Sequence, residues 1–554
     1  MKKIPYGISD FKAVLNENFY YIDKTVFIEK LEDYGRFLYL IRPRRFGKSL
    51  FLNMLDFYYN VRWEEDWELF KDTHIYNHPT KEKHAYHVLK FDFSAVSTMG
   101  DVDNNFSNYC NREIDLFLNN YNIKIDVDIQ NLPAHEVLDI VFKQMSKKYK
   151  DIKVYIIIDE YDNFMNNILV NDKVLYQNMV ASKEAIYKEF FKLLKALTNQ
   201  NDSPLKRMFF TGVSPLALFD VTSGSNIGKN LTNVPLFNSI VGITRDEYKG
   251  LVDYYNLDFD KEEQELVDKW YNNYIFSKNI TQTIYNTDMV FYYVDSYLQI
   301  NQPPNDLVDI NVRSDYKKLR YLIEENNKLN GNFTVLKELF QTGYITTTKI
   351  HESFGAYEAI QSENFKSLLY YLGYITIDSF KFGELRLKIP NQTMRTIVAE
   401  FLQNSLKVTQ MFKIDTEEFN LTLVRLAYQN KLDVFHYFAK SLDENSSIRD
   451  FITGEQFIKG YLIALFSLSG VFVVGSEVET NKGYADITLT PSPNIPEKLP
   501  NYIIELKYLS KDEKIDKKLQ EAKEQIEQYT KNKPDTKGII VIFRNWKMEH
   551  CQFE

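Results

Sequence analysis

The apolar positions of this chain change rhythm along its length, and the changes divide it. Over residues 1–250, short runs rich in apolar residues alternate with stretches of helical period: Phe37–Ile41, Val88–Phe93, Val154–Ile158 and Arg207–Thr211. Runs of this length separated by helices predict a parallel sheet buried on both faces. From 251 to 410 the period is mostly helical, with two short strand-like segments, Tyr374–Ile377 and Leu385–Ile389. Residues 411–450 are charged, keep a helical period and read as a connector. The last segment, 451–554, predicts helix, three strands, helix, strand. Its helices fall at Gly454–Leu468 and Asp512–Thr530, and its strands at Val471–Glu479, Tyr484–Thr490, Tyr502–Lys507 and Gly538–Arg544. The proline-rich stretch Pro491–Pro496 makes a surface hairpin between the second and third strands.

At 554 residues the chain exceeds what one core holds, so a division into several domains is expected. Hydrophobic residues at 44% and charged residues at 26% are ordinary for a globular protein. No run of about 18 apolar residues and no basic-then-apolar leader is evident, which predicts no membrane partner and a cytoplasmic location. Cys110 and Cys551 stand far apart and offer no disulfide framework. The wealth of Lys, Asn, Ile, Tyr and Phe points to an AT-rich bacterial genome. A net charge of −9 argues against a broad basic footprint for nucleic acid, but metal-dependent nucleases carry acidic ligands and can confine their basic residues to one groove.

Two constellations carry chemistry. Gly47-Lys48-Ser49 follows the first apolar run and opens a helical stretch. Small residues there let backbone N–H groups wrap phosphates, the lysine reaches the β- and γ-phosphates, and the hydroxyl reaches Mg²⁺. The first glycine of the usual G-x-x-x-x-G-K-S is Arg42 here. About a hundred residues on, Ile156-Ile157-Ile158-Asp159-Glu160 is a buried strand ending in two carboxylates. Asp159 suits the Mg²⁺ shell and Glu160 the polarisation of attacking water. Thr211, ending the fourth run, is a candidate sensor of the γ-phosphate, and Arg207 and Arg245 are candidates for offsetting its charge. Asn430-Lys431-Leu432-Asp433 and Asn532-Lys533-Pro534-Asp535 lie too far from this site to read guanine, so the expected nucleotide is ATP.

In the last segment Asp486 starts one strand and Glu505-Leu506-Lys507 ends the next. Carboxylates so placed meet at one sheet edge, where they can share Mg²⁺, or Mn²⁺, through hard oxygen ligands. Lys507, two residues after Glu505, points to the same face and can orient water and offset charge on the phosphate. Glu455 on the preceding helix is a further candidate ligand, as are Glu477 and Glu479. An E-x-K alone carries little information; the Gly483-x-x-Asp486 element, the strand order, and Gln525 with Tyr529 one turn apart strengthen it. His74, His78, His84 and His87 match no common zinc spacing, and Phe190-Phe191 and Tyr370-Tyr371 read as core.

These residues resemble a bacterial family: AAA-ATPase-like proteins with a C-terminal PD-(D/E)XK nuclease domain. The resemblance runs through Tyr21-Ile22-Asp23-Lys24-Thr25, Arg42 to Ser49, Phe91-Asp92-Phe93-Ser94 and Ile158-Asp159-Glu160-Tyr161-Asp162. It continues at Gly373-Tyr374-Ile375-Thr376, Ile389-Pro390-Asn391, Asp486, Glu505, Lys507 and Gln525. It implies an α/β chain with four parts. These are a P-loop NTPase with a parallel sheet at 1–250, a helical and winged-helix region at 251–410, a helical connector at 411–450, and a restriction-endonuclease-like αβββαβ domain at 451–554. It also implies that Asp23, Lys24 and Arg42 help seat the nucleotide. Where the family often has Gly-Arg-x-Asp, this chain has Tyr484 in place of the arginine. The expected function is an ATP-driven switch coupled to a metal-dependent nuclease, with DNA preferred over RNA as partner, in defence against or mobility of foreign DNA. Assembly of copies on ATP is compatible with such a switch. The alternative is an ATP-dependent sensor or scaffold whose nuclease-like domain binds without cutting.

Overall fold

A computed structural model describes residues 1–554 except 127–128, 130–131, 183–184, 217–226, 305, 313–323, 326–327, 330, 357, 409–413, 445–453, 468–469, 481–482, 493–494, 496 and 532. Within some helices and strands, residues 476–480 and 483–484 among them, it describes the backbone only. Two compact units form, Met1–Asp295 with Thr348–Leu385, and Ser296–Thr347 with Arg386–Glu554. The helical stretch expected at 251–410 is thus shared between them.

Unit one is built on five strands: β1 (Phe37–Ile41), β2 (His87–Asp92), β3 (Val154–Asp159), β4 (Leu205–Gly212) and β5 (Lys229–Asn230). Their order is β2-β3-β4-β1-β5, every neighbouring pair parallel. The four expected runs are all present, and β5 extends the sheet beside β1. All six residues of β3 are buried, as a strand covered on both faces requires. Phe93, Phe106, Tyr187, Phe190 and Phe191 fill one side of that core. Because β4 lies between β1 and β3, the C-terminal ends of all three reach one edge, where open parallel sheets bind ligands. Helix α1 (Lys48–Tyr59) leaves that edge after β1. A short antiparallel pair, β6 (Ile243–Thr244) with β7 (Ile284–Tyr285), leads into α2 (Thr287–Ile300). The two strands expected near 374 and 385 are β8 (Thr376–Lys381) and β9 (Glu384–Lys388).

Unit two centres on β10 (Phe472–Thr480), β11 (Gly483–Pro491), β12 (Asn501–Leu509), β13 (Thr536–Arg544) and β14 (Lys547–Phe553), in that order across the sheet. Pairing is antiparallel except between β12 and β13, which are parallel over nine residues. The return from β12 to β13 is made by helix α4 (Ile515–Thr530), as a parallel pair demands. Its residues Ala522, Ile526 and Tyr529 bury onto Ile503, Ile540 and Ile542. Gly538 admits this approach, since a Cβ there would lie 2.1 Å from Ile526 Cγ2. Helix α3 (Glu455–Phe466) precedes β10. Strand β14 was not foreseen: its alternation of polar with apolar residues is that of an edge, and no glycine marks the turn before it.

The expected connector contains helices Thr416–Gln429 and Asp433–Glu444; residues 411–413 and 445–450 lie outside the described ones. Its buried Phe435 and Phe438 pack on Phe466 and Phe543, and Tyr502 Oη donates to Leu426 O at 2.8 Å. It is therefore part of the core of unit two. Among the described residues no helix is long and apolar enough to cross a membrane.

Candidate functional sites

The loop between β1 and α1 turns through two left-handed residues, Arg45 at φ 69° and Gly47 at φ 87°. Alternating handedness of this kind gathers successive N–H groups into an anion-binding concavity. Lys48 is buried, and its Nζ donates to the carbonyls of Arg42 and Pro43 at 3.2 and 3.0 Å. Burial lowers its pKa, opposed by the nearby Glu160 and Asp159 carboxylates. Asp159 ends β3, one residue beyond the last β3–β4 pair, Ile158 with Phe210. Its Oδ1 accepts from the Thr211 hydroxyl at 2.7 Å and from the Glu160 amide at 2.9 Å. Burial raises the Asp159 pKa, and hydrogen bonds from Ser49 and Thr211 oppose it. Glu160 is left-handed at φ 49°, a costly backbone for a side chain with a Cβ, and accepts from Asn163 Nδ2 at 2.5 Å.

These residues meet at a cavity of about 350 Å³, the size of small-ligand sites. Gly47, Lys48, Ser49, Asp159 and Glu160 line it, as expected, and Thr211 stands behind Asp159. Arg44, Arg45, Asp92 and Ser94 line it as well, together with Pro5, Gly7, Ile8 and Ser9 of the N-terminal segment and Thr287, Asp288 and Phe291 of α2.

Several expected nucleotide ligands have other partners. Arg42 is fully buried, donates to the carbonyls of Ile41, Thr232 and Phe237 at 3.1, 2.7 and 3.0 Å, and covers the Phe276 ring at 4.1 Å. Burial lowers it to about 10. It braces the loop against residues 232–237 and does not line the cavity. Asp23 accepts from Thr25 N and Oγ1 and from His74 N at 2.8, 2.7 and 2.6 Å. Lys24 pairs with Glu247 at 2.7 Å and lines a smaller, apolar cavity with Tyr20, Ile22, Val241 and Ile243. That cavity shares Gly47, Leu50, Thr287 and Phe291 with the larger one. Arg207 bonds Tyr86 Oη and Gly35 O, and Arg245 pairs with Asp268. Neither lines the cavity.

In unit two, the β11–β12 ladder runs from Leu489–Tyr502 to Ile487–Ile504. One residue further, Asp486 turns its Oδ2 onto the Leu506 amide at 3.0 Å. Glu505 is 2% exposed; its Oε1 accepts from Lys507 Nζ at 2.6 Å, and its Oε2 has no hydrogen-bond partner. Burial, with the Asp486 charge adding and Lys507 opposing, pushes its carboxyl up to about 7. Burial pulls Lys507 down, but Glu505, Asp486 and Glu455 outweigh it and hold the ammonium above its ordinary value. Glu455 accepts from the Tyr508 amide at 3.2 Å, and burial and Asp486 raise its pKa. Tyr529 feels burial and then Glu505, both raising it, which sets α4 beside the carboxylates, and Gln525 Nε2 reaches its hydroxyl at 3.5 Å. Asp486, Glu505 and Lys507 are therefore together, with Glu455 and Tyr529 at their margins.

Sequence reasoning missed Lys459. It lies one turn beyond Glu455 on the same face of α3, is 3% exposed, and donates to Asp486 Oδ1 at 3.1 Å. Its signal was only an i, i+4 Glu–Lys pair on an otherwise apolar helix. The side chains of Glu477 and Glu479 lie outside the described residues.

Among the described residues no three His, Cys, Asp or Glu side chains gather as a metal-holding set. A small divalent ion needs fewer, since Mg²⁺ is commonly held by one or two carboxylates with water and phosphate oxygens. The unpartnered Glu505 Oε2 beside Asp486 fits that requirement.

Comparison with known proteins follows the same division. Residues 5–222 match a family described as predicted AAA-ATPase, and residues 453–553 match the PD-(D/E)XK nuclease superfamily. Over 55 residues, 10% of the chain, it is 49% identical to a protein of Azotobacter chroococcum mcd 1 described as an uncharacterized protein in the vnfD 5′ region. The match spans 11% of that relative's length. The chain thus carries an AAA-ATPase-like region followed by a C-terminal domain of the PD-(D/E)XK nuclease superfamily.

Proposed function

We propose that this chain uses ATP to switch a divalent-metal phosphodiesterase that cuts DNA. The observation that carries the reading is Glu505 Oε2, a buried carboxylate oxygen without a protein partner, next to Asp486 and Lys507. A buried carboxylate oxygen left without a hydrogen bond is costly, and a cation or a proton relieves it. Asp486 and Glu505 would hold Mg²⁺ or Mn²⁺, with Glu455 near enough to add charge. Lys507 orients the attacking water and offsets charge gathering on the phosphate. Gln525 and Tyr529 bound the site on the α4 side. The bound cation would supply Lewis-acid stabilisation and lower the pKa of its water.

At the nucleotide site Lys48 exchanges its loop carbonyls for β- and γ-phosphate oxygens. Ser49 and Asp159 serve the Mg²⁺ shell, Glu160 polarises water, and Thr211 reads the γ-phosphate through Asp159. The smaller apolar cavity at Tyr20, Ile22 and Val241, about 40 Å³, adjoins this site at Gly47 and Thr287. Arg42, Asp23 and Lys24 act at one remove, by holding the walls. The helical and winged-helix middle would pass the nucleotide state to the nuclease, with assembly of copies on ATP as one means. A cytoplasmic role in defence against, or mobility of, foreign DNA is the biology this pairing fits by analogy.

The test is cleavage of supercoiled, linear and single-stranded DNA and of RNA, with Mg²⁺ or Mn²⁺, with and without ATP, beside Glu505→Ala and Lys48→Ala proteins. Cleavage lost in the first variant supports the nuclease, and lost ATP dependence in the second supports the switch. A second reading has its own observation: Lys459 Nζ already neutralises Asp486. Tyr484 also stands where the resembled family often has an arginine. A sensor or scaffold of that kind binds nucleic acid without cutting it, and Glu505→Ala then changes nothing.

A further inference from the structure

The phosphate loop lacks the glycine its bend usually starts with, and something else must fix its peptides. Five consecutive carbonyls, Arg42 to Phe46, each accept a hydrogen bond. Lys48 serves the first two. The other three are served by three consecutive residues at the start of α2. Asn286 Nδ2 donates to Arg44 O at 3.3 Å, Asp288 N to Arg45 O at 3.2 Å, and Thr287 Oγ1 to Phe46 O at 3.1 Å. Gly242 N adds a second bond to Phe46 O at 2.8 Å. The Asp288 carboxylate meanwhile holds Arg45 NH1 at 3.3 Å, over a residue in the left-handed region.

A trans peptide is planar, so fixing a carbonyl fixes the direction of the N–H that follows it. The amides of Arg45, Phe46 and Gly47 therefore cannot turn unless a bond to residues 286–288 breaks. Left-handed geometry at Arg45 is disfavoured for a residue with a Cβ, and these contacts support it. Asn286 is itself pinned, 4% exposed and accepting from Met289 N at 3.2 Å. The clamp is rigid because it is also the cap of α2.

We infer that Asn286, Thr287 and Asp288 are positioning residues for the triphosphate: they hold the amides of the phosphate loop in their binding direction and do the work of the absent glycine. The inference rests on the proposed nucleotide site but not on its hydrolysis or on the nuclease. Thr287 lies beside the loop rather than in it, with its Oγ1 3.8 Å from where a Cβ on Gly47 would stand.

Binding of a fluorescent ATP analogue and of the matching ADP analogue would be titrated against wild type, Thr287→Val, Thr287→Ser and Asp288→Asn, with melting temperatures taken without nucleotide. Thr287→Val keeps shape and loses the donor, so triphosphate affinity should fall about tenfold. Thr287→Ser should restore it, and Asp288→Asn, which removes the charge that holds Arg45 but keeps the backbone donor, should weaken triphosphate more than diphosphate. Equal affinity for wild type and Thr287→Val overturns the inference and leaves the nucleotide site standing. So does a Thr287→Ser protein as weak as the valine variant. A wild type that binds neither analogue overturns both. If Thr287→Val melts early, Asp288→Asn alone decides: unchanged affinities for both analogues refute the clamp.

Discussion

Glu505 makes a testable trade of stability for chemistry. It is 2% exposed, one oxygen on Lys507 and the other unpartnered, and burial pushes its carboxyl from 4.5 to about 7. A group raised on folding gives its full stability below its unfolded value, near 4.5, and loses it as pH climbs through about 7. The shift is worth about 3 kcal/mol. In a chelator at pH ~8, Glu505→Gln should therefore be more stable than wild type by up to about 3 kcal/mol, or about 6–12 °C for a unit of this size. At pH ~4.5 the advantage should vanish, because wild type is then neutral at this position too. Mg²⁺ or Mn²⁺ at about 100 times its Kd should return about 2.7 kcal/mol to wild type at pH ~8 and little to the variant. Calorimetric melts in EDTA at three pH values, then with metal, measure all of this. A variant that melts at or below wild type at the high pH, or a difference that ignores pH, would refute the reasoning.

Three further outcomes follow from particular contacts. Thr211→Val removes the hydroxyl bonded to Asp159 at 2.7 Å; nucleotide affinity should hold within about threefold while hydrolysis drops on the order of 10²-fold, read by phosphate release. Lys459→Met takes away the buried cation on Asp486, so Mn²⁺ should bind at least about tenfold tighter by calorimetry, while the metal-free protein loses about 3–5 kcal/mol. Unchanged Mn²⁺ affinity would mean that Lys459 does not oppose the ion. Gly538→Ala drives a methyl to 2.1 Å from Ile526 and should cost unit two about 1–3 kcal/mol in urea unfolding, part of it recovered by adding Ile526→Val.

What the sequence revealed and what it hid divide along physical lines. The run Ile156-Ile157-Ile158 ending in Asp159 and Glu160 was legible because one short apolar stretch both makes the strand and marks where it stops. Asp486, Glu505 and Lys507 were legible by the same period-two logic on β11 and β12. The clamp at 286–288 was not, since it meets the loop from more than 240 positions away and only an ordinary helix start marks it. Arg42 looked like a phosphate ligand from its place in the motif, yet the carbonyls of Thr232 and Phe237, nearly 200 residues on, draw it to the other side of the loop. Strand β14 escaped because an edge strand need not be apolar, and Lys459 because a buried lysine on a helix reads like any solvated one.

Two of the acidic residues singled out in the sequence, Asp159 and Asp486, share a position. On β3 and β4 the backbone ladder ends at Ile158 with Phe210, and on β11 and β12 it ends at Ile487 with Ile504. Immediately beyond each end an acidic residue takes over the bonding. Asp159 receives the hydroxyl of Thr211, and Asp486 receives the amide of Leu506. A carboxylate there is at least partly buried and is held by a donor that the neighbouring strand fixes in place. It is thereby held rigid at a set position on the edge of the sheet. An acid further out would be solvated and loose. The end of a ladder is thus a place where a sheet can present such a group, and two unrelated sheets in one chain each carry an acidic residue at that step.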